Sequence, residues 1–400
     1  MMDHESIECA PQAGLADNAD LRWLAGLDTP CYVFDPRIVL ARYTALREAL
    51  GTRLVVSLKA NSNADLFVRC GHAFEDGIEL ASQGELDIVV GRGKQPKYLN
   101  NPSMSEDFMR AGLASRCHFI IDNPDMARRF IALAAGKPKQ DVMLRMNAGA
   151  LVGERAPKGW HDHFGMTMTE AVHVTELFKA AGVAISGLHA FAGSGSFRVS
   201  DAHGDEADSP DLAFALAHAA EQLAQIAHAP ITFLNVGGGF SEKGHGEEVF
   251  SRYRERLSPL AARYSIAHES GRAIFADAGV FVTRVTAVKH WPDRIVAVCD
   301  GGMSHNFLLA RTESVLKAWQ QPIVVPCNGM HAAASSDARA VTLVGNTCNR
   351  ADVIGRLSAD RRPPQPGDFV LFEQCGAYNH SYTVSGFLSL RPAKVYIRQA

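Results

Sequence analysis

The chain reads as an α/β protein in which a (β/α)8 barrel is followed by an all-β domain. Two patterns in its 400 residues predict this. Eight short apolar, strand-like runs lie at about 54–58, 78–81, 97–99, 118–121, 142–146, 185–188, 231–236 and 266–268. Segments of helical spacing separate most of them, for example 105–112, 123–135, 169–181 and 210–227. Eight strands divided by helices is the count of a closed parallel barrel. An open doubly wound sheet would fit the alternation as well, and the tally favours the barrel. After Gly279 the long helical segments stop, and apolar runs follow one another across Gly- and Pro-containing turns such as Pro363-Pro364-Gln365-Pro366-Gly367-Asp368. That texture belongs to an all-β domain of sandwich or barrel type.

Bulk properties narrow the function classes. The length exceeds what one simple core requires and suits two domains, or one barrel with an appended domain. A formal net charge of −3 gives no electrostatic reason to expect nucleic acid or an anionic membrane as partner. The opening MMDHESIECAPQ lacks a basic, then apolar, signal pattern, and no run approaches membrane-spanning length. A cytoplasmic location is therefore expected. Eight scattered cysteines without a C-x-x-C pair read as reduced thiols, leaving one available for catalysis. His161-Asp162-His163 and His245 near Glu247-Glu248 lack zinc-type spacing, so no metal is expected.

In chain order, residues 1–28 are an unpatterned lead-in. Cys31 to Phe34 is a strand that the pattern alone assigns to neither domain; residues 1–35 are taken as an N-terminal segment whose strand joins the β domain. The barrel is expected over 36–278 and the β domain over 279–400. Asp35-Pro36 supplies an N-cap and a first-turn proline, and Val39, Tyr43, Leu46 and Leu50 follow at helical spacing. The next strand, within Leu54 to Asn61, ends on Lys59. A lysine at the end of a buried strand must reach water, pair with an acid, or use its amine for chemistry. In the β domain, strands are expected at 280–285, 295–298, 323–325, 341–344, 369–372 and 395–397.

Barrel enzymes collect their reacting groups where strands end. Here those ends carry Lys59, then Glu79, then Arg145 with Asn147. Next come His189 and Phe191 before Ala192-Gly193-Ser194, then Gly237-Gly238-Gly239, and finally Glu269-Ser270-Gly271-Arg272. Taken singly, three glycines make a tight turn and Glu269 with Arg272 a local ion pair. Taken together they form a set. Three successive glycines expose N–H groups that surround an anion without Cβ interference, and a guanidinium matches phosphate geometry. An amine, an anion cradle and a carboxylate match the aldehyde, phosphate and pyridine nitrogen of pyridoxal 5'-phosphate.

From Thr29 to Ile397 the chain resembles the alanine-racemase-fold decarboxylases, which include the diaminopimelate, ornithine and arginine decarboxylases. The motifs that carry the likeness are SLKAN, IELASQGEL, Ala192-Gly193-Ser194, NVGGGF, ESGR, CDGGM, LVGNTC and CGAY, in that order. The resemblance implies that Lys59 bonds the cofactor aldehyde and that Glu269 keeps the pyridine nitrogen protonated. Ser194, Gly238, Gly239, Arg272 and Tyr378 would hold the phosphate. Glu79, Arg145, His189, Gly237 and Gly271 fall in the same cofactor shell, and Asn306 and Tyr378 near the substrate. Cys348 matches a thiol that a partner subunit inserts to protonate the decarboxylated substrate, so an obligate homodimer with shared sites is implied. An ordinary thiol, with a pKa near ~8.5, is protonated at neutral pH and can serve as that acid.

Two departures bear on the substrate. Relatives place a histidine on the cofactor face where this chain has Phe191; an aromatic ring can still stack there but cannot move a proton. Relatives acting on free diamino acids carry an acidic residue after the cysteine, where this chain has Asn349-Arg350. That pair suits a neutral or anionic distal end better than an ammonium. Some relatives in citrate-siderophore biosynthesis share ASQGE, a GGG turn and a non-acidic residue there. The expectation is thus decarboxylation of a citryl-diaminopropionate or citryl-serine conjugate, with diaminopimelate or another basic amino acid as the alternative. A racemase would need a tyrosine base and no cysteine motif. A regulatory, non-catalytic homologue would be expected to lose cofactor residues, and Lys59, Glu269 and Arg272 are all present.

Overall fold

The computed structural model describes residues 21–200, 205–310, 321–327, 339–358 and 362–399. Most of the expected N-terminal lead-in lies outside them. The described residues divide into two compact units, one of residues 40–274 and the other joining residues 21–39 to those from 275 onward.

The first unit is a closed barrel. Before it comes the short strand β1 (Cys31–Phe34); the barrel strands are then β2 (Arg53–Ser57), β3 (Ile78–Leu80), β4 (Lys97–Asn100), β5 (His118–Ile121), β6 (Val142–Met146), β7 (Ile185–Ala190), β8 (Phe233–Asn235) and β9 (Ser265–Ser270). Each is parallel to the next, and β2 closes on β9 with Val55 opposite Glu269. The parallel register requires a crossover after every strand, and the helices supply it. Their starts follow from local chemistry. Ser105, Asn123, Thr167 and Asp208 each accept a bond from the first turn of the helix that follows, and Thr167 and Asp208 complete capping boxes. Helices Ala64–Cys70, Gln83–Val89 and Glu247–Ala261 fill the remaining crossovers.

The barrel interior is layered. Val55, Tyr98, Ile120, Met143 and Ala267 form one buried cluster, with Phe233 against it. Strand side chains alternate, so the residues two further along point inward too. In five strands those residues are Asn100, Asp122, Arg145, Asn235 and Glu269, all buried. An apolar floor therefore supports a polar rim at the carboxyl ends of the strands.

The second unit is a mixed sheet. Its strands are β10 (Gly279–His290), β11 (Ile295–Cys299), β12 (Ile323–Val325), β13 (Val341–Val344), β14 (Val353–Leu357), β15 (Phe369–Phe372) and β16 (Lys394–Ile397). The order is β12-β15-β10-β11-β13-β14, and β1 joins by pairing antiparallel with β10 and parallel with β16. Strand β14 was not expected: Gly355 and Arg356 interrupt its apolar run. No helix among the described residues is long and apolar enough to cross a membrane.

His268 on β9 points away from the interior. Its Nδ1 is 2.8 Å from Thr52 Oγ1 and its Nε2 2.8 Å from the Tyr253 hydroxyl. Burial pushes its pKa down to about 3. Unfolding lets the ring take a proton that the folded chain refuses. This contribution to stability is therefore complete above about pH 6.5 and declines as pH falls toward about 3, by at most about 1.4 kcal/mol per unit. His268→Gln should flatten the pH dependence of the urea midpoint between about pH 6.5 and about pH 4.5. It should also cost about 1–2 kcal/mol at neutral pH through lost hydrogen bonding.

Candidate active site

Lys59 lies just past β2, on the single helical turn Leu58–Ala60. Its Nζ is 2.8 Å from both carboxylate oxygens of Glu79 on β3. The sequence left three fates open for this lysine, reaching water, pairing with an acid or using its amine for chemistry, and the structure shows the first two. In the structure its side chain is 42 % exposed, while that of Glu79 is 1 % exposed. The turn carries the amine out of the strand, and the burial falls on the acid. Gly271 lets this turn approach β9: a Cβ there would lie 2.6 Å from the Ala60 Cβ and 3.0 Å from the Ser57 carbonyl oxygen.

Glu269 is a buried carboxylate of the rim. Asn235 Nδ2 donates to its Oε1 at 2.8 Å, and His189 Nε2 lies 3.3 Å from the same oxygen. Burial alone would raise the Glu269 carboxyl; His189, Lys59 and Asn235 outweigh that and hold it below the usual carboxylate range. His189 is fully buried, and neither of its ring nitrogens is aligned for a hydrogen bond. Its approach to Glu269 is a close contact without a formed hydrogen bond.

The glycine turn follows β8. Asn235 reaches it as well, because its Oδ1 accepts the Gly237 N–H at 3.0 Å. The Gly237 carbonyl accepts the Glu269 N–H at 2.8 Å. Gly238 has no space for a side chain: a Cβ would sit 1.9 Å from the Glu269 carbonyl oxygen. Gly237 and Gly239 have φ of 65° and 94°, a region that favours glycine. Phe191, Ser194 and Gly193 come from the turn after β7. A Cβ on Gly237 would touch Phe191, and one on Gly239 would meet Ser196 Oγ at 2.4 Å, so the two turns lie against each other. Ser194 is exposed, and Arg272 directly follows Gly271 at the end of β9.

Arg145 is held on the far side of the rim. Its Nη1 is 3.3 Å from Asn100 Oδ1 and 3.4 Å from Asp122 Oδ2, with the guanidinium 4.4 Å from the Phe164 ring centroid. Phe164 belongs to a strap anchored by Asn147, whose Nδ2 donates to the Phe164 carbonyl at 2.8 Å. Asn147 thus supports the strap rather than joining the reacting set.

The remaining predicted residues belong to the second unit. Cys348, Asn349 and Arg350 are exposed on the turn between β13 and β14. Tyr378 has φ of 69°, uncommon outside glycine and a mark of a constrained position. Asn306, expected at the substrate, is instead completely buried. Its Oδ1 accepts from Asn379 Nδ2 at 3.1 Å and from the Leu309 N–H at 3.4 Å, and its Nδ2 points to Cys375 Sγ at 3.5 Å. With its carboxamide engaged on all sides, it supports the segment carrying Tyr378. Asn100, Asp122, Asn235 and Phe164 were missed as site residues. The first three had a signal, since each stands two residues beyond an inward apolar residue of its strand.

Residues 37–277 match the family model described as pyridoxal-dependent decarboxylase, pyridoxal binding domain. The chain belongs to that family. Pyridoxal phosphate is its cofactor, and its reaction class is that of a carboxy-lyase. The diaminopimelate decarboxylase of Deinococcus radiodurans is 26% identical over 385 residues, covering 92% of this chain and 89% of that one. The L-glutamyl-[BtrI acyl-carrier protein] decarboxylase of Niallia circulans is 24% identical over 391 residues, covering 90% and 86%. Among solved structures, diaminopimelate decarboxylase from Helicobacter pylori complexed with L-lysine superposes with a TM-score of 0.77 at 21% identity, covering 94% of this chain and 93% of that one. That last likeness concerns the fold.

The rim of this decarboxylase fits the cofactor. It offers an amine, a buried carboxylate held ionised, a glycine turn in which Cβ positions are taken by backbone, and a buried histidine whose ring nitrogens have no aligned partner. Asn235 links two of these features. Asn235→Ala should leave the Gly237 N–H unpaired and remove a donor from Glu269, destabilising the protein by about 2–3 kcal/mol. The Glu269 carboxyl should titrate at higher pH than in the parent. Urea unfolding and carbon-13 titration of a labelled glutamate check both.

Proposed function

We propose that the enzyme removes the α-carboxylate of a free diamino acid, diaminopimelate first, at the barrel rim. One observation carries the reading: an ionised, buried Glu269 shares the rim with the Lys59–Glu79 pair. Bound pyridoxal phosphate supplies an electron sink for the pair of electrons left when CO2 departs. Lys59 is the residue whose amine would hold the cofactor at its aldehyde and would yield that place to the substrate's amine. Glu79 receives the Lys59 ammonium once it is released. Glu269 holds the proton on the ring nitrogen, which keeps the sink effective. The Gly237–Gly239 turn, Ser194, Gly271 and Arg272 would hold the phosphate, and Phe191 would offer its ring to the cofactor's. Arg145 and His189 tune the charge of the rim from beneath.

Cys348 delivers the proton that replaces CO2 on the α-carbon. In this proposal a second copy of the chain supplies it, so the active form is a homodimer. The position of Cys348 on an exposed turn supports that arrangement.

The substrate assignment leans on the relatives, most of which are named diaminopimelate decarboxylases. The citrate-conjugate reading draws no support from them. One observation keeps a second reading in view: Asn349 and Arg350 follow Cys348, and both are exposed. A guanidinium there favours a substrate with a neutral or anionic distal end. The Niallia circulans relative is named for a glutamyl group borne on a carrier protein, which has no distal ammonium.

Two measurements test the proposal. The purified protein should be yellow, borohydride should fix the chromophore covalently on Lys59, and Lys59→Ala should abolish both results. Carbon dioxide release should then be compared across diaminopimelate, lysine, ornithine, citryl-diaminopropionate and citryl-serine. The free diamino acid should lead by at least about tenfold in kcat/KM. A lead for a citrate conjugate would replace the first reading with the second. Cofactor binding without CO2 release from any of them would make the protein a non-catalytic homologue.

A further inference from the structure

The turn that presents Cys348 is organised by one buried carboxylate. Asp352 is 3 % exposed. Its Oδ2 accepts from the Thr347 N–H at 3.1 Å and from Thr347 Oγ1 at 2.7 Å. Its Oδ1 accepts from the Met303 N–H at 2.7 Å. Its main chain closes the turn as well, accepting from the Gly345 N–H at 3.0 Å and donating to the Asn349 carbonyl at 2.9 Å. Among the described residues no basic side chain forms an ion pair with it, and these hydrogen-bond donors face its charge.

Two glycines make room for that carboxylate. A Cβ at Gly345 would lie 2.4 Å from both of its oxygens, and one at Gly302 would lie 2.4 Å from Oδ1. Gly302 and Met303 come from CDGGM, and Gly345 and Thr347 from LVGNTC. Asp352 therefore ties two motifs that are far apart in the chain. Thr347, which receives two of its three contacts, is the residue before the exposed Cys348. An exposed turn without such an anchor samples many thiol positions, and proton delivery to one carbon needs a single position held closely.

We propose that Asp352 is the positioning residue for proton delivery by Cys348: it fixes the Thr347-Cys348 backbone through charge-assisted bonds made possible by Gly302 and Gly345. The inference rests on the reading of Cys348 as the acid. If the thiol is misplaced, CO2 still departs. A substrate whose α-carbon is not protonated would leave its nitrogen on the cofactor, whose former aldehyde carbon would take the proton instead. Water would then hydrolyse the carbon–nitrogen double bond, its oxygen leaving with the substrate as an aldehyde and the nitrogen staying on the cofactor as an amine, so that fresh pyridoxal phosphate is needed for the next turnover.

The test compares Asp352→Asn, Thr347→Val, Thr347→Ser and Cys348→Ala in the full-length holoenzyme, using whichever compound of the panel releases most CO2. Asp352→Asn keeps the shape but turns an amide donor toward donors. It should lower kcat about tenfold with KM within about twofold, and raise the fraction of turnovers ending in aldehyde. Thr347→Val should show a smaller change in the same direction, and Thr347→Ser, which keeps the hydroxyl, should behave as the parent. In the cofactor-free protein, amide hydrogen exchange at Thr347 and Met303 should accelerate in Asp352→Asn. If Cys348→Ala raises the aldehyde fraction while Asp352→Asn and Thr347→Val leave it at the parent value, the positioning proposal is overturned and the cysteine reading stands. If Cys348→Ala leaves the fraction unchanged, the cysteine reading fails and this proposal with it. Should Asp352→Asn not fold, Thr347→Val against Thr347→Ser decides the matter.

Discussion

The site depends on keeping a carboxylate ionised inside a barrel. A buried acid ordinarily takes up a proton, because desolvation penalises the charge. Glu269 avoids this through an Asn235 donor at 2.8 Å and the nearby His189 and Lys59. Asn235 spends its other end on the Gly237 N–H, so one carboxamide holds the charge of β9 and the shape of the turn after β8. A change to either is felt by both. The close fit of Gly238 against the Glu269 carbonyl ties the same two strands a second time.

The layering of the interior explains why such charges can be held there. Apolar side chains fill the floor of the barrel, and the polar residues two positions further along share a rim in which each finds a partner. Arg145 illustrates the economy of this arrangement: Asn100 and Asp122 occupy its donors, and Phe164 covers its face. A rim made this way is pre-organised, so its charges need little rearrangement when a charged ligand arrives.

The β unit follows a different logic. The segments that carry Cys348 and Tyr378 are turns and loops anchored by buried polar groups: Asp352 beneath the Cys348 turn, and Asn306 and Asn379 beneath the Tyr378 segment. Exposed side chains are placed there by residues that never reach the surface. This is why the sequence misleads about Asn306: near a functional segment, a polar residue can serve the backbone instead of the ligand.

Much of the architecture was legible in the chain alone. Apolar strand runs of three to six residues, separated mostly by helical segments, place all eight barrel strands, because local patterning and the parallel fold agree there. The cluster of Lys59, Glu79, Glu269 and the glycines at strand ends was legible for the same reason: strand ends converge in a barrel whatever lies between them. Strand β14 was not, since Gly355 and Arg356 blur its pattern and only pairing with β13 makes it a strand. Only the tertiary structure decided that Lys59 stands partly in water while Glu79 is buried, and that Asn235 serves two partners. It alone decided that Asn306 is interior. Burial and hydrogen-bond pairing arise between residues far apart in the chain, and a linear pattern records which groups are present without recording which of them meet.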